Sequence, residues 1–356
     1  MTVIEQELET TAKMMVAEGK GILAIDESTP TIKKRFDTIN VESTEENRRA
    51  YRDLLITNPG GSKYISGMIL YDETIRQSTS DGMTFTEKLI NDGIMPGIKV
   101  DTGAKDFALH ANEKITEGLD GLRDRLAEYK TLGAKFAKWR AVITIGNNMP
   151  TDACIDANAH ALARYAGLCQ EIGIVPMVEP EVLMDADNTI ERCYDVTEKT
   201  LSTLFTTLKD QDISIAHTIL KTNMVISGKQ CSTQASVEEV AKSTVRCLLK
   251  NVPSELAGIV FLSGGQSAEL ATAHLNAMNQ NNKDLPWPLS FSYGRALQEP
   301  CLKAWGGEST NIEAAQKALL HREKCNGLAC KGAVSYTHLR AHETRHDIVC
   351  RLLLEK

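Results

Sequence analysis

The chain has 356 residues, 42% hydrophobic and 24% charged, a composition that excludes disordered and collagen-like classes and allows a sizeable buried core. Its 40 Lys and Arg stand against 47 Asp and Glu, a formal net charge of −7. No general basic surface is therefore expected for nucleic acid or an anionic membrane, and any anion must be bound locally.

Nine cysteines are scattered without a CxxC pair, which fits a reduced compartment and makes the cytoplasm the expected location. The first residues, MTVIEQELETTAKMM, have no basic start followed by an apolar run. No later stretch reaches the roughly 20 apolar residues of a membrane span, so membrane insertion is not expected.

Eight short apolar runs rich in β-branched residues follow one another. They are GILAIDES (21 to 28), ISGMILYD (65 to 72), MPGIKVD (95 to 101), AKFAKWRAV (134 to 142), GIVPMVEPEVL (173 to 183), TILKTNMVI (218 to 226), GIVFLSGG (258 to 265) and PLSFSYGR (288 to 295). Helix-like segments separate them. Ser43 with Glu46 offers a capping box for the segment TEENRRAYRDLL, and ACIDANAHALARYAGLCQEIG has apolar residues at helical spacing before Gly173. Eight β-then-α units without a Pro/Gly/Ser-rich linker allow a closed barrel or a long doubly wound sheet, and the count of eight favours the barrel, an α/β fold of the (β/α)8 TIM-barrel type over residues 1 to 332.

Charge falls late in these runs, where barrel enzymes carry their chemistry. Asp26, Lys99, Lys138 with Arg140, Glu179 with Glu181, Lys221 and Arg295 all obey that rule. Residues two apart on a strand share a face, so Lys138 and Arg140 point together, as do Glu179 and Glu181. Lysines and arginines converging with carboxylates describe a pocket for an anionic substrate, with acid–base work done by Asp or Glu. Burial in an apolar strand favours the neutral amine, the form that condenses with a ketone.

After the seventh run comes Ser263-Gly264-Gly265-Gln266, and the eighth ends Ser292-Tyr293-Gly294-Arg295. Loops at these two places commonly hold a phosphate on backbone amides, hydroxyls and an arginine fork.

GILAIDES, GIKVD, AKWR, IVPMVEPE, LKTNMV, VFLSGGQS and FSYGRALQ, with AWGG at 304 to 307, closely resemble class I fructose-bisphosphate aldolases of the eukaryotic type, in register from about residue 5 to about 332. The resemblance implies reversible cleavage of fructose 1,6-bisphosphate to dihydroxyacetone phosphate and glyceraldehyde 3-phosphate, with no metal or cofactor, in a cytoplasmic homotetramer. Carried over by position, it makes Lys221 the imine-forming lysine and Glu179 the general acid and base, supported by Glu181 and Lys138. Asp26 takes the hydroxyl proton at the cleaved bond. Ser263, Gly264, Gly265, Ser292, Gly294 and Arg295 hold the phosphate next to the ketone, while Lys99, Arg140, Ser28, Lys34 and Arg35 serve the other end of the substrate. Thr222 stands where the family commonly has proline.

The rivals are a Schiff-base lyase of the transaldolase type, a metal-dependent aldolase and a non-catalytic scaffold that binds cytoskeletal proteins. The two phosphate sites argue against the first. The absence of histidine from all eight runs argues against the second.

Family members end in a tail whose terminal tyrosine aids proton exchange at the enamine. Residues 333 to 356 leave that pattern and end in Lys356. The tail is expected to be disordered or artefactual, and its departure implies a slow step shifted toward enamine protonation. Within it, His342-Glu343-Thr344-Arg345-His346 matches the zinc-protease pattern HExxH. Such a site needs a third ligand and a surrounding domain, so the match is read as accidental.

Overall fold

The computed structural model describes residues 2–335. The expectations placed on 336–356, including the HExxH stretch, lie outside the described residues.

Eight parallel strands close into a barrel. They are β1 (Gly21–Ala24), β2 (Ile65–Leu70), β3 (Met95–Lys99), β4 (Phe136–Ile143), β5 (Val175–Val182), β6 (Ile219–Thr222), β7 (Gly258–Phe261) and β8 (Leu289–Tyr293). Each pairs with its neighbours in sequence, and β8 returns to β1 through Ile22↔Ser292 and Leu23↔Tyr293. Every expected run coincides with one strand, β4 extending one residue past the end of its run. Nearly all strand residues are buried, as strands covered on both faces by barrel packing and helices must be.

Side chains along each strand alternate between the barrel interior and the surrounding helices. The lower interior is filled by Ile22, Ile69, Met95, Phe136, Val175, Met177, Ile219 and Val260. The helix Val3–Met15 closes this end with Leu8, Ala12 and Met15, and its start is fixed by a reciprocal capping box between Thr2 and Glu5. A methyl group on Gly97 would collide with the Phe136 ring, so glycine on β3 makes the room that the floor's largest side chain occupies.

Two details differ from expectation. The helix Glu45–Ile56 is capped by Thr44, whose hydroxyl accepts from Asn47 N at 3.1 Å, and not by Ser43. Thr44 takes the extended conformation that a cap needs, and Glu46 turns instead to Arg49 at 2.8 Å. A two-stranded antiparallel hairpin, Gly103–Asp106 with Lys114–Glu117, was not anticipated. Its short, mostly polar strands lack the apolar signature of the barrel strands. The helix Asp152–Ile172 does end at Gly173, which takes a left-handed φ of 76°.

Candidate active site

The period of two that fills the floor also delivers the charged groups above it. Ile22 and Ala24 lead to Asp26, Gly97 to Lys99, Phe136 to Lys138 and Arg140, Met177 to Glu179 and Glu181, and Ile219 to Lys221. These residues line one cavity of about 480 Å³ at the C-terminal mouth of the barrel.

At its base acids and amines alternate. Asp26 Oδ2 lies 2.7 Å from Lys138 Nζ, which lies 3.2 Å from Glu179 Oε2; Glu179 Oε1 is 3.0 Å from Lys221 Nζ. Glu179 is 2% exposed and Lys221 5%. At such depth charges stand only because each faces an opposite one. Burial works to raise the Asp26 pKa, but the Lys138 and Lys221 ammonium groups outweigh it and hold it at about 2. The same opposition, with Lys138 and Lys221 again outweighing burial, keeps Glu179 below the usual carboxylate range. Burial would lower the Lys138 pKa, yet Asp26 and Glu179 raise it above that of a free lysine.

Around this base, Arg140 Nε pairs with Glu181 Oε2 and Lys99 Nζ sits 2.9 Å from Asp101 Oδ1. Asp101 also accepts from the Arg140 backbone N–H at 3.2 Å and from Gly103 N at 3.1 Å. One carboxylate, tied to the first residue of the hairpin, thus braces the Lys99 side chain and the Arg140 backbone. Asn223, just past β6, accepts from Val182 N at 3.0 Å and ties the strand bearing Lys221 to the one bearing Glu179.

Ser263, Gly264, Gly265, Ser292, Gly294 and Arg295 line the opposite wall. A side chain on Gly264 would press on Glu181 Oε1 at 3.1 Å, and Gly265 takes a φ of +81°, so both positions favour glycine. Ser292 Oγ is buried without a hydrogen-bond partner. Arg295 Nη2 donates to Gln266 O at 3.3 Å, which steadies the arginine over the turn.

Of the remaining expected residues, Ser28 lines the cavity and Lys34 does not; Lys34 is exposed on the helix Thr29–Asp37. Arg35 lines it at the Gly294 wall, where its Nη2 lies 3.5 Å from the position a Gly294 Cβ would take. It is thereby separated from Lys34 by one helical step and grouped with Gly294, not with Lys99 and Arg140. Glu27, Thr31 and Lys229 also line the cavity and were not singled out. Glu27 lay inside the motif GILAIDES, where it could have been noticed; Lys229 follows β6 in a loop that carried no signal.

A family model described as fructose-bisphosphate aldolase class-I matches residues 7–350. A probable class 1 fructose-bisphosphate aldolase of Xanthomonas campestris is 62% identical over 92% of this chain and 98% of its own length. The chain belongs to the class I fructose-bisphosphate aldolases. Membership carries the family's reaction, glycolytic aldol cleavage by a carbon–carbon lyase. A cytosolic fructose-bisphosphate aldolase of Arabidopsis thaliana is 51% identical over 92% of this chain and 83% of its own. A solved Plasmodium falciparum fructose-bisphosphate aldolase, complexed with TRAP and a small-molecule inhibitor, superposes with a TM-score of 0.92 at 47% identity, covering 93% of this chain and 96% of that one.

Proposed function

We propose that this aldolase works through an imine on Lys221, with the groups of its cavity in the following roles. The Lys221 amine adds to the keto carbon of fructose 1,6-bisphosphate. Glu179, 3.0 Å away, accepts in turn the two protons that the lysine nitrogen gives up, the first from the ammonium and the second on addition, and passes both to the former keto oxygen, which leaves as water. Asp26, held at about 2 and so ionised at neutral pH, removes the proton of the hydroxyl beyond the bond to be cleaved. That bond then breaks, its electron pair moves into the iminium, and glyceraldehyde 3-phosphate departs from an enamine. Protonation and hydrolysis of the enamine release dihydroxyacetone phosphate and regenerate the lysine.

Lys138 bridges Asp26 and Glu179 and balances their charge as protons move. Arg140 holds Glu181 beside them. Ser263, Gly264, Ser292, Gly294 and Arg295 receive one phosphate, and Lys99 with Arg140 the far end of the sugar. The observation that carries the reading is the buried Asp26–Lys138–Glu179–Lys221 row beneath a cavity walled by cations and glycine turns.

The same kinship supports a homotetramer in the cytoplasm; two of the plant relatives are named as cytosolic. Among the described residues no helix is long and apolar enough to cross a membrane.

The test is steady-state cleavage of fructose 1,6-bisphosphate by the chain and by Lys221→Met, each with and without a chelator. Activity is expected in the first, unaffected by chelator, and a loss of roughly 10³-fold or more in the second. Comparable turnover in Lys221→Met would refute the assignment.

A further inference from the structure

Beside the cavity, just past β1, lies a polar hub that the proposed chemistry does not use. Glu27 follows Asp26 directly, and its side chain is 5% exposed. Two guanidinium groups and one hydrogen-bond donor converge on it. Arg35 Nη1 stands 2.8 Å from Oε1, Arg52 Nη2 2.8 Å from Oε2, and Gln298 Nε2 donates to Oε1 at 2.8 Å. Gln298 is itself fixed, donating to Ala24 O at 2.6 Å and accepting from Tyr51 OH at 3.2 Å. The Arg52 side chain is 3% exposed, whereas that of Arg35 is 25% exposed.

The three partners therefore differ in kind. Arg52 and Gln298 are anchors sealed in the interior. Arg35 alone reaches the cavity, with one nitrogen on Glu27 and the other beside Gly294. A guanidinium held by one edge presents its remaining N–H groups in a fixed direction, and less freedom is lost when it grips an anion.

We propose that Glu27 is a positioning residue that aims the Arg35 guanidinium at the phosphate wall, and that Arg52 and Gln298 hold Glu27 in place for that purpose. The inference rests on the imine reading above, because dihydroxyacetone phosphate trapped on Lys221 is its probe.

The experiment is borohydride trapping on the full chain, titrated with dihydroxyacetone phosphate and, separately, with dihydroxyacetone, which lacks the phosphate. Glu27→Gln keeps the shape and removes the charge. It should raise the half-saturating concentration of dihydroxyacetone phosphate about tenfold, leave the extent of trapping at saturation unchanged, and leave the dihydroxyacetone titration unmoved. In an Arg35→Ala background the same substitution should add less than about twofold, because its effect passes through Arg35. Glu27→Asp, which keeps a charge for Arg52 and guards against loss of folding, should fall between the two. Equal effects on both ligands, or full independence of the Glu27 and Arg35 substitutions, would overturn the proposal. Absence of any adduct on Lys221 in the unsubstituted chain would instead sink the reading beneath it.

Discussion

The two ends of this barrel are made by the same strands and have opposite chemistry. Below, Ile22, Phe136, Met177 and Ile219 form a dry floor sealed by the N-terminal helix; four residues beyond Ile22 comes Asp26, and two beyond the others come Lys138, Glu179 and Lys221, a row of paired charges. A strand rises about 3.3 Å per residue, so only one or two inward steps separate the layers. Buried carboxyls also differ with what faces them. Asp26 at the mouth is held at about 2 by Lys138 and Lys221 against the pull of burial. Glu323, on the helix Ile312–Ala329, takes a hydrogen bond from Asn58 at 2.9 Å, and burial pushes it up to about 8. What sets a carboxyl's charge here is the presence of a facing ammonium, more than depth.

The sharpest way to break the contrast is to remove a charge from the upper layer. Glu179→Gln should lower kcat by about 10² to 10⁴ while circular dichroism shows an intact fold; retained turnover would mean the row is structural. Deleting bulk from the lower layer should do the reverse. Phe136→Ala is expected to cost about 3–5 kcal/mol of stability in denaturant unfolding, with kcat per folded molecule preserved below the transition.

Glu323 and Asp26 respond to pH with opposite sign. Its folded value of about 8 lies above the ordinary 4.5, so its contribution to stability is present in full below about 4.5 and is lost as pH rises through 8. Glu323→Gln should therefore match the parent in Tm near pH 5 and exceed it near pH 9. Asp26 has the opposite sign: lowered from 3.8 to about 2, it stabilises above 3.8, and that contribution is lost as pH falls toward 2. The smallest effect concerns neither layer. Thr44→Ala should cost about 1 kcal/mol as a lost helix cap, and Ser43→Ala should stay within about 0.5 kcal/mol.

Much of this was legible in one dimension. The eight strands were visible because strands buried on both faces must be apolar and β-branched throughout. The mouth was visible because a charge inside such a run has few other reasons to be there. The hairpin escaped because four-residue polar strands have no periodicity to detect, and the cap was misplaced by one residue because Ser43 and Thr44 have the same capping chemistry. Arg35 does not follow Lys34, since adjacent residues on a helix diverge by about 100°, and its guanidinium comes to lie beside Gly294. The Glu27 hub could not be read at all, for Gln298 lies 271 residues away from the carboxylate it binds.

The proposed reaction rests on a covalent bond between the amine beside Glu179 and a keto sugar. Borohydride reduction with dihydroxyacetone phosphate, followed by mass mapping of peptides, tests it directly. A single stable adduct on Lys221 is expected, formed equally well with a chelator present. An adduct on any other lysine, or none with an active enzyme, would contradict it.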